Sequence, residues 1–276
     1  MRRRLIAVGV AAGAVGAVGG ALGVAFRQLL HAQAAKARAI IGKPLGEDAI
    51  DADRVWKAGY GDPLDLLLLG DSIAAGLGAD VRKETLGARL SKGLAKQLHR
   101  AVRLRTAAVV GSESCALASQ LDALPPDYRP QLAVIVVGGN DVTHRVPVAD
   151  SAAHLEDAVT RLRALGAGVV VGTCPDLGAL RPVPQPLRTL GSRASRQLAA
   201  AQERAALHAG AHAVSLAHVV GPFFITNPDE MFSLDRFHPS PLGYKRTAEA
   251  MLPSLLAALG EREDVPFGHA APRGGR

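Results

Sequence analysis

Leu64-Asp-Leu-Leu-Leu-Leu-Gly-Asp-Ser72 is the stretch from which the rest of the chain can be read. Residues 66–69 form an unbroken apolar run, the pattern of a strand buried on both faces of a parallel sheet, and the run stops at Gly70-Asp71-Ser72. Ligands of open α/β sheets collect beyond the carboxyl ends of the strands. A hydroxyl held there, followed by the small residues Ala74, Ala75, Gly76 and Gly78, has the placement of a nucleophile. Gly-Asp-Ser is also an ordinary turn sequence, so this stretch alone leaves both readings open.

Downstream, short apolar runs alternate with longer amphipathic segments, as in a doubly wound α/β sheet with right-handed crossovers. The predicted strands cover 64–69, 102–110, 132–137, 168–172 and 213–216, and the predicted helices 85–100, 114–124, 151–165, 189–209 and 241–259. Ser151 is the expected cap of its helix and Gly166 its end. Pro239 and Pro241 suit a helix start just after His238, where a missing amide hydrogen costs nothing. The segment Pro182-Val-Pro-Gln-Pro186 is a loop, either shaping a substrate site or merely connecting. Residues 30–61 read as a helical stalk and linker with Trp56 packing it onto the domain at 62–260, and 261–276 as a disordered tail.

The chain has 276 residues, 48% of them hydrophobic and only 4% aromatic, enough for one large core built from Leu, Val and Ala. Its formal charge is +7, but four of those charges are Arg2, Arg3, Arg4 and Arg27, which flank the uncharged residues 5–26. Acidic and basic residues elsewhere are interspersed without an aromatic-and-basic stripe, so no nucleic-acid partner is expected. Twenty-two uncharged residues suffice to span a bilayer, and residues 1–29 are expected to be a membrane anchor or uncleaved signal. The large domain would then lie outside the cytoplasm. Cleavage near Ala32-Gln33-Ala34, leaving a secreted protein, is the alternative. Cys115 and Cys174 are the only cysteines. They cannot complete a zinc site unaided, and either form one disulfide after export or serve as small apolar residues.

Three more loops gather polar residues or glycine at the strand ends: Val110-Gly111-Ser112, Gly138-Gly-Asn-Asp141 and Asp235-Arg-Phe-His-Pro239. Hydrolysis by a serine needs a base for the hydroxyl proton, a carboxylate to orient that base, and donors where the oxyanion develops. The spacing of Asp235 and His238 lets a tight turn bring the carboxylate to one imidazole nitrogen while the other faces Ser72. In this order and over roughly residues 64–259, the chain resembles the SGNH hydrolases, the Gly-Asp-Ser-Leu-type esterases and lipases. Ile73 stands where that family commonly has leucine, a change of similar volume.

The resemblance implies a three-layer α/β/α sandwich on a mainly parallel five-stranded sheet, the flavodoxin-like SGNH hydrolase fold, here preceded by an N-terminal membrane helix. It implies Ser72 as nucleophile, His238 as base and Asp235 as orienting acid, with Ser72, Gly111 and Asn140 forming the oxyanion hole and no metal or organic cofactor. His144 is a candidate pocket residue, and Asp176 a weaker one. The implied reaction is ester hydrolysis through an acyl-enzyme, on lipid, glycan or small acyl esters. An acyltransferase using the same intermediate and a noncatalytic membrane-anchored binding module are the alternatives.

Overall fold

The structure, a computed structural model, describes residues 2–272, with side chains from Leu22 onward. One sheet organises the domain. Its strands are β1 (Val55–Trp56), β2 (Leu64–Gly70), β3 (Val102–Thr106), β4 (Leu132–Val136), β5 (Gly168–Gly172), β6 (His212–Val214) and β7 (His269–Ala270). The spatial order is β1-β3-β2-β4-β5-β6-β7. The five central strands are parallel, as expected, and the two edge strands are antiparallel. The sheet is therefore mixed and seven-stranded rather than five-stranded. The extra strands are two residues each, too short to leave a period in the sequence.

The helices are α1 (Arg2–Ile41), α2 (Ser72–Ala75), α3 (Leu86–Leu98), α4 (Ala116–Asp122), α5 (Gly139–His144), α6 (Val148–Ala164), α7 (Leu187–His208), α8 (Leu216–Val219), α9 (Gly221–Thr226), α10 (Pro228–Met231) and α11 (Pro241–Ala258). Strand alternation divides the core in two. Leu66 and Leu68 of β2 pack with Leu90, Leu94, Met251 and Leu255 of α3 and α11, while Leu67 and Leu69 face Leu117, Leu155, Val159 and Leu162 of α4 and α6. All four leucines are fully buried, each contributing about 2 kcal/mol of transfer free energy. An apolar residue at every position is what a strand covered on both faces requires.

Several expectations change. Strand β3 ends at Thr106 rather than 110, although Ala107 and Val109 still donate to the Leu68 and Gly70 carbonyls of β2. Helix α6 begins at Val148, one turn before Ser151, so Ser151 is not a cap; its buried hydroxyl donates to Asp141 Oδ1 at 2.5 Å. The tail from Glu261 does not stay free. Residues His269–Ala270 complete the sheet edge and His269 Nδ1 meets Ser254 Oγ at 2.7 Å; residues 273–276 lie outside the described part. The linker is held more firmly than a tether, through β1 and through Trp56, which packs against the core on the α3 and α11 side of the sheet.

Of the two readings open for the cysteines the structure shows no disulfide: Cys115 and Cys174 are free thiols. Cys115 is exposed at the start of α4, whereas Cys174 is buried with its amide donating to Gln202 Oε1. The two carboxyl-end loops therefore do not present their sulfurs to each other.

Among the described residues no helix is long and apolar enough to cross a membrane, so the expected N-terminal membrane helix has no support there. Most of the segment on which that expectation rested, residues 5–26, falls outside the side chains described. The backbone of α1 continues without a break past residue 30, and Gln33 ties it to the Pro-rich loop by donating to the Gln185 carbonyl and accepting from the Leu187 amide.

Candidate active site

The carboxyl ends of β2 and β4, with the loop before α11, assemble the site. Strand β2 runs into Gly70 and Asp71, and Asp71 caps the short helix α2 by accepting from the Ile73 amide at 3.0 Å. Ser72 is the first residue of that helix, so its hydroxyl is held at a fixed height above the sheet. The Gly76 and Leu77 amides return to the Ser72 carbonyl and close the turn. Gln120 brackets the end of the strand, its side-chain amide accepting from Gly70 N at 2.9 Å and donating to Gly70 O at 2.8 Å.

The histidine arrives on a tight loop, not a helical turn. The Phe232–Pro239 bridge and the Ser233 amide to His238 carbonyl bond at 2.8 Å pinch that loop, and Arg236 takes the left-handed conformation at its tip. Asp235 Oδ1 accepts from Ser233 Oγ, Phe237 N and His238 N, each at 2.9 Å. Its other oxygen is left for the imidazole: Asp235 Oδ2 lies 2.5 Å from His238 Nδ1, and His238 Nε2 lies 2.9 Å from Ser72 Oγ. Burial alone would raise the Asp235 carboxyl, but the bonds from the His238 ring and from the backbone amides of His238 and Phe237 hold it below its usual value. Gly78 makes this approach feasible. A Cβ there would stand 2.5 Å from the Pro239 carbonyl oxygen and 3.2 Å from His238 Cβ.

Asn140 is the second residue of α5, and its side-chain amide donates one hydrogen to the Ser112 carbonyl at 2.9 Å, leaving a second available as a donor. Both Asn140 and Ser72 line one cleft together with His238. Gly111 is exposed beside Ser112 and is not among the residues lining that cleft. Neither is His144, whose Nδ1 pairs with Glu113 at 2.6 Å on the surface; an unoccupied carboxylate nearby captures it. Asp176, by contrast, does line the cleft.

Bonds to distant partners complete the site. Asp141, fully buried, accepts from Ser114 Oγ and Ser151 Oγ at 2.5 Å each and from the Ser114 amide, joining the loop after β3 to the loop after β4 and to α6. It thereby fixes the turn that carries Asn140. Its partners lie 10 and 27 residues away, so nothing short of the tertiary fold reveals the cluster. Asp141→Ala strands two buried hydroxyls and is expected to cost about 2–4 kcal/mol in urea denaturation, with kcat falling at least tenfold. A loss under about 0.5 kcal/mol would show the cluster to be dispensable.

Asp71 has an opposite environment to Asp235. Burial pushes its carboxyl up to about 6, against the lowering effects of the Ile73 amide and of His238, while Asp141 adds to the rise. The folded chain holds this proton more tightly than the unfolded one. Asp71 therefore favours folding below about pH 4, and that advantage is lost as pH rises to about 6. Asp71→Asn removes the titration. Relative to the variant, the natural protein is expected to lose on the order of 2 kcal/mol between pH 4 and 6.5, read from urea midpoints. Parallel pH curves would refute the assignment. Asp235 acts in the opposite sense, losing its contribution as pH falls below about 4, and is common to both proteins.

A serine hydroxyl within reach of an imidazole, itself oriented by a buried carboxylate, is an arrangement that can make the hydroxyl nucleophilic. The chain is also similar to known proteins. Residues 68–246 match the GDSL-like lipase/acylhydrolase family. The chain is 40% identical to the GDSL-like esterase Rv1075c of Mycobacterium tuberculosis over 285 residues, an alignment covering 98% of this chain and 88% of the relative. It is 30% identical to esterase TesA of Pseudomonas aeruginosa over 200 residues, covering 70% and 89%. A crystal structure of TesA superposes with a TM-score of 0.57 at 25% identity, covering 71% of this chain and 99% of that one. By the match across its α/β domain and by its similarity to these esterases, the chain belongs to the GDSL-like lipase/acylhydrolase family, a family of carboxylic ester hydrolases.

Proposed function

We propose that this protein hydrolyses carboxylic esters through an acyl-enzyme formed on Ser72. The observation that carries this reading is the continuous chain from Asp235 Oδ2 through the His238 ring to Ser72 Oγ, with separations of 2.5 and 2.9 Å. His238 Nε2 takes the hydroxyl proton as Ser72 Oγ attacks the ester carbonyl, and Asp235 stabilises the imidazolium that results. The oxyanion develops toward the free hydrogen of the Asn140 amide and the Ser72 backbone amide. His238 then returns the proton to the departing alcohol. Water, deprotonated by the same imidazole, releases the acid and regenerates Ser72. Gly111, the further donor expected from the resemblance, lies outside the lining of the cleft that holds Ser72 and Asn140, so the scheme does not rest on it. The scheme uses no cofactor.

Treatment with a fluorophosphonate, followed by mass mapping, tests the reading directly. Stoichiometric addition at Ser72 is expected; a folded protein that resists labelling would instead be a binding module. Product analysis with and without an added alcohol separates hydrolysis from acyl transfer. The uncharged residues 5–26 support a location outside the cytoplasm, by membrane attachment or by secretion after cleavage. Fractionation with intact-mass measurement distinguishes the two.

A further inference from the structure

Two glutamines stand where the ladders of the sheet run out. Gln120 of α4 and Gln202 of α7 are both buried, and neither lines the cleft that holds Ser72 and Asn140. A buried primary amide is costly unless its donors and its acceptor find partners, and both of these do. Strand β3 stops pairing at Thr106, opposite Leu68, which leaves the Gly70 amide without a strand neighbour on that side. The Gln120 side chain takes the vacant place. Its oxygen accepts from Gly70 N at 2.9 Å and its nitrogen donates to Gly70 O at 2.8 Å, the pair of bonds that a neighbouring strand would make. The same nitrogen lies 3.4 Å from Ser112 Oγ, and the Ser112 carbonyl in turn holds the Asn140 side-chain amide at 2.9 Å.

Gln202 does the equivalent on the other side of β4. The pairing of β4 with β5 ends at Val136 and Gly172. Just beyond, Gln202 donates to Val137 O at 2.9 Å and accepts from Cys174 N at 2.7 Å. A Cβ on Gly138 would stand 3.0 Å from Gln202 Nε2, so the amide also packs on the turn that opens α5 and carries Asn140. An oxyanion is stabilised best by donors already in place when it forms. Ser72 lies two residues past one clamped strand end and Asn140 three past the other. Resting on the acyl-enzyme reading, we infer that Gln120 and Gln202 are positioning residues of ester hydrolysis: each extends the sheet by one rung through a side chain, and together they fix the gap between Ser72 and the Asn140 amide in which the oxyanion develops. Neither lines the substrate cleft, so their loss is read in kcat rather than in KM.

The test compares Gln120→Glu, Gln202→Glu, Gln120→Met and Gln202→Met with the natural protein. Glu keeps the reach and the accepting oxygen but, once ionised, cannot donate; Met keeps the reach and loses both bonds. With p-nitrophenyl esters, kcat per folded protein is expected to fall about tenfold in the Glu variants and about a hundredfold in the Met variants, with KM changed by less than about threefold. An alkyl boronic acid, which adds to Ser72 Oγ as a tetrahedral anion, is expected to bind more weakly in step with kcat. Natural kcat in folded variants, a loss confined to KM, or unchanged boronate affinity as kcat falls would each overturn the assignment. If the Met variants do not fold, the Glu variants decide; if these fail to fold as well, the glutamines serve folding rather than alignment, and the assignment is overturned. A natural protein that cleaves no ester and resists the fluorophosphonate at Ser72 would instead mark the failure of the hydrolase reading itself.

Discussion

Replacing Ser72 by alanine is expected to lower kcat by about a thousandfold to a millionfold while leaving the fold intact. The hydroxyl sits at the outer end of a hydrogen-bonded chain, so its removal leaves His238 paired to Asp235 and strands no deeply buried group. Thermal stability should change by less than the equivalent of about 1 kcal/mol. Because Ser72 and His238 would act as a unit, the double variant with His238→Ala should be scarcely worse than either single change. Retention of a tenth of the natural activity in purified Ser72→Ala, with contamination excluded, would remove Ser72 from the mechanism.

Gly70→Ala is expected to be the most damaging substitution for folding. Gly70 has φ +129°, a conformation that side-chain-bearing residues rarely adopt, and a Cβ at this position would stand 1.9 Å from the Val136 carbonyl oxygen and 2.7 Å from its carbon. Both are backbone atoms at the centre of the sheet, where Gly70 pairs with Val136 and the Asp71 amide donates to the same carbonyl at 3.1 Å. Relief requires parting β2 from β4, which would also break the bracket made by Gln120. The cost should exceed about 4 kcal/mol, a large share of a domain's net stability, and yield little folded protein. Gly59→Ala, where an added Cβ meets nothing within 4 Å, is the matched control and should change stability by under about 0.5 kcal/mol. A soluble Gly70→Ala protein with an unchanged urea midpoint would show that the strands yield more easily than their geometry indicates.

Each of the two carboxylates flanking the nucleophile is set by its surroundings rather than by its type. Asp71 and Asp235 are both nearly inaccessible, at 3% and 4% exposure. Asp235 is kept ionised because the donors around it outweigh its burial; Asp71 has fewer and rises toward neutrality. Burial alone would have assigned them the same state.

What the sequence determined was the class of fold and the residues with chemistry to offer. The run at residues 66–69 required a strand covered on both faces, and the alternation after it required parallel strands with helical crossovers. Ser72 and Asn140 were marked by short local patterns at a strand end and a helix start, and Asp235 and His238 by their spacing in a turn. The tertiary structure alone decided the rest. It placed His238 against Ser72 across a sequence separation of 166, enlisted Ser233, Ser114 and Ser151 to hold the carboxylates, turned His144 outward to Glu113, left the two cysteines apart and drew the tail back as an edge strand. The physical reason is range. Hydrophobic periodicity and turn chemistry act over a few neighbouring residues, whereas a buried hydroxyl, thiol or carboxylate takes its partner from whichever segment packs against it, and that is settled only when the whole chain has folded.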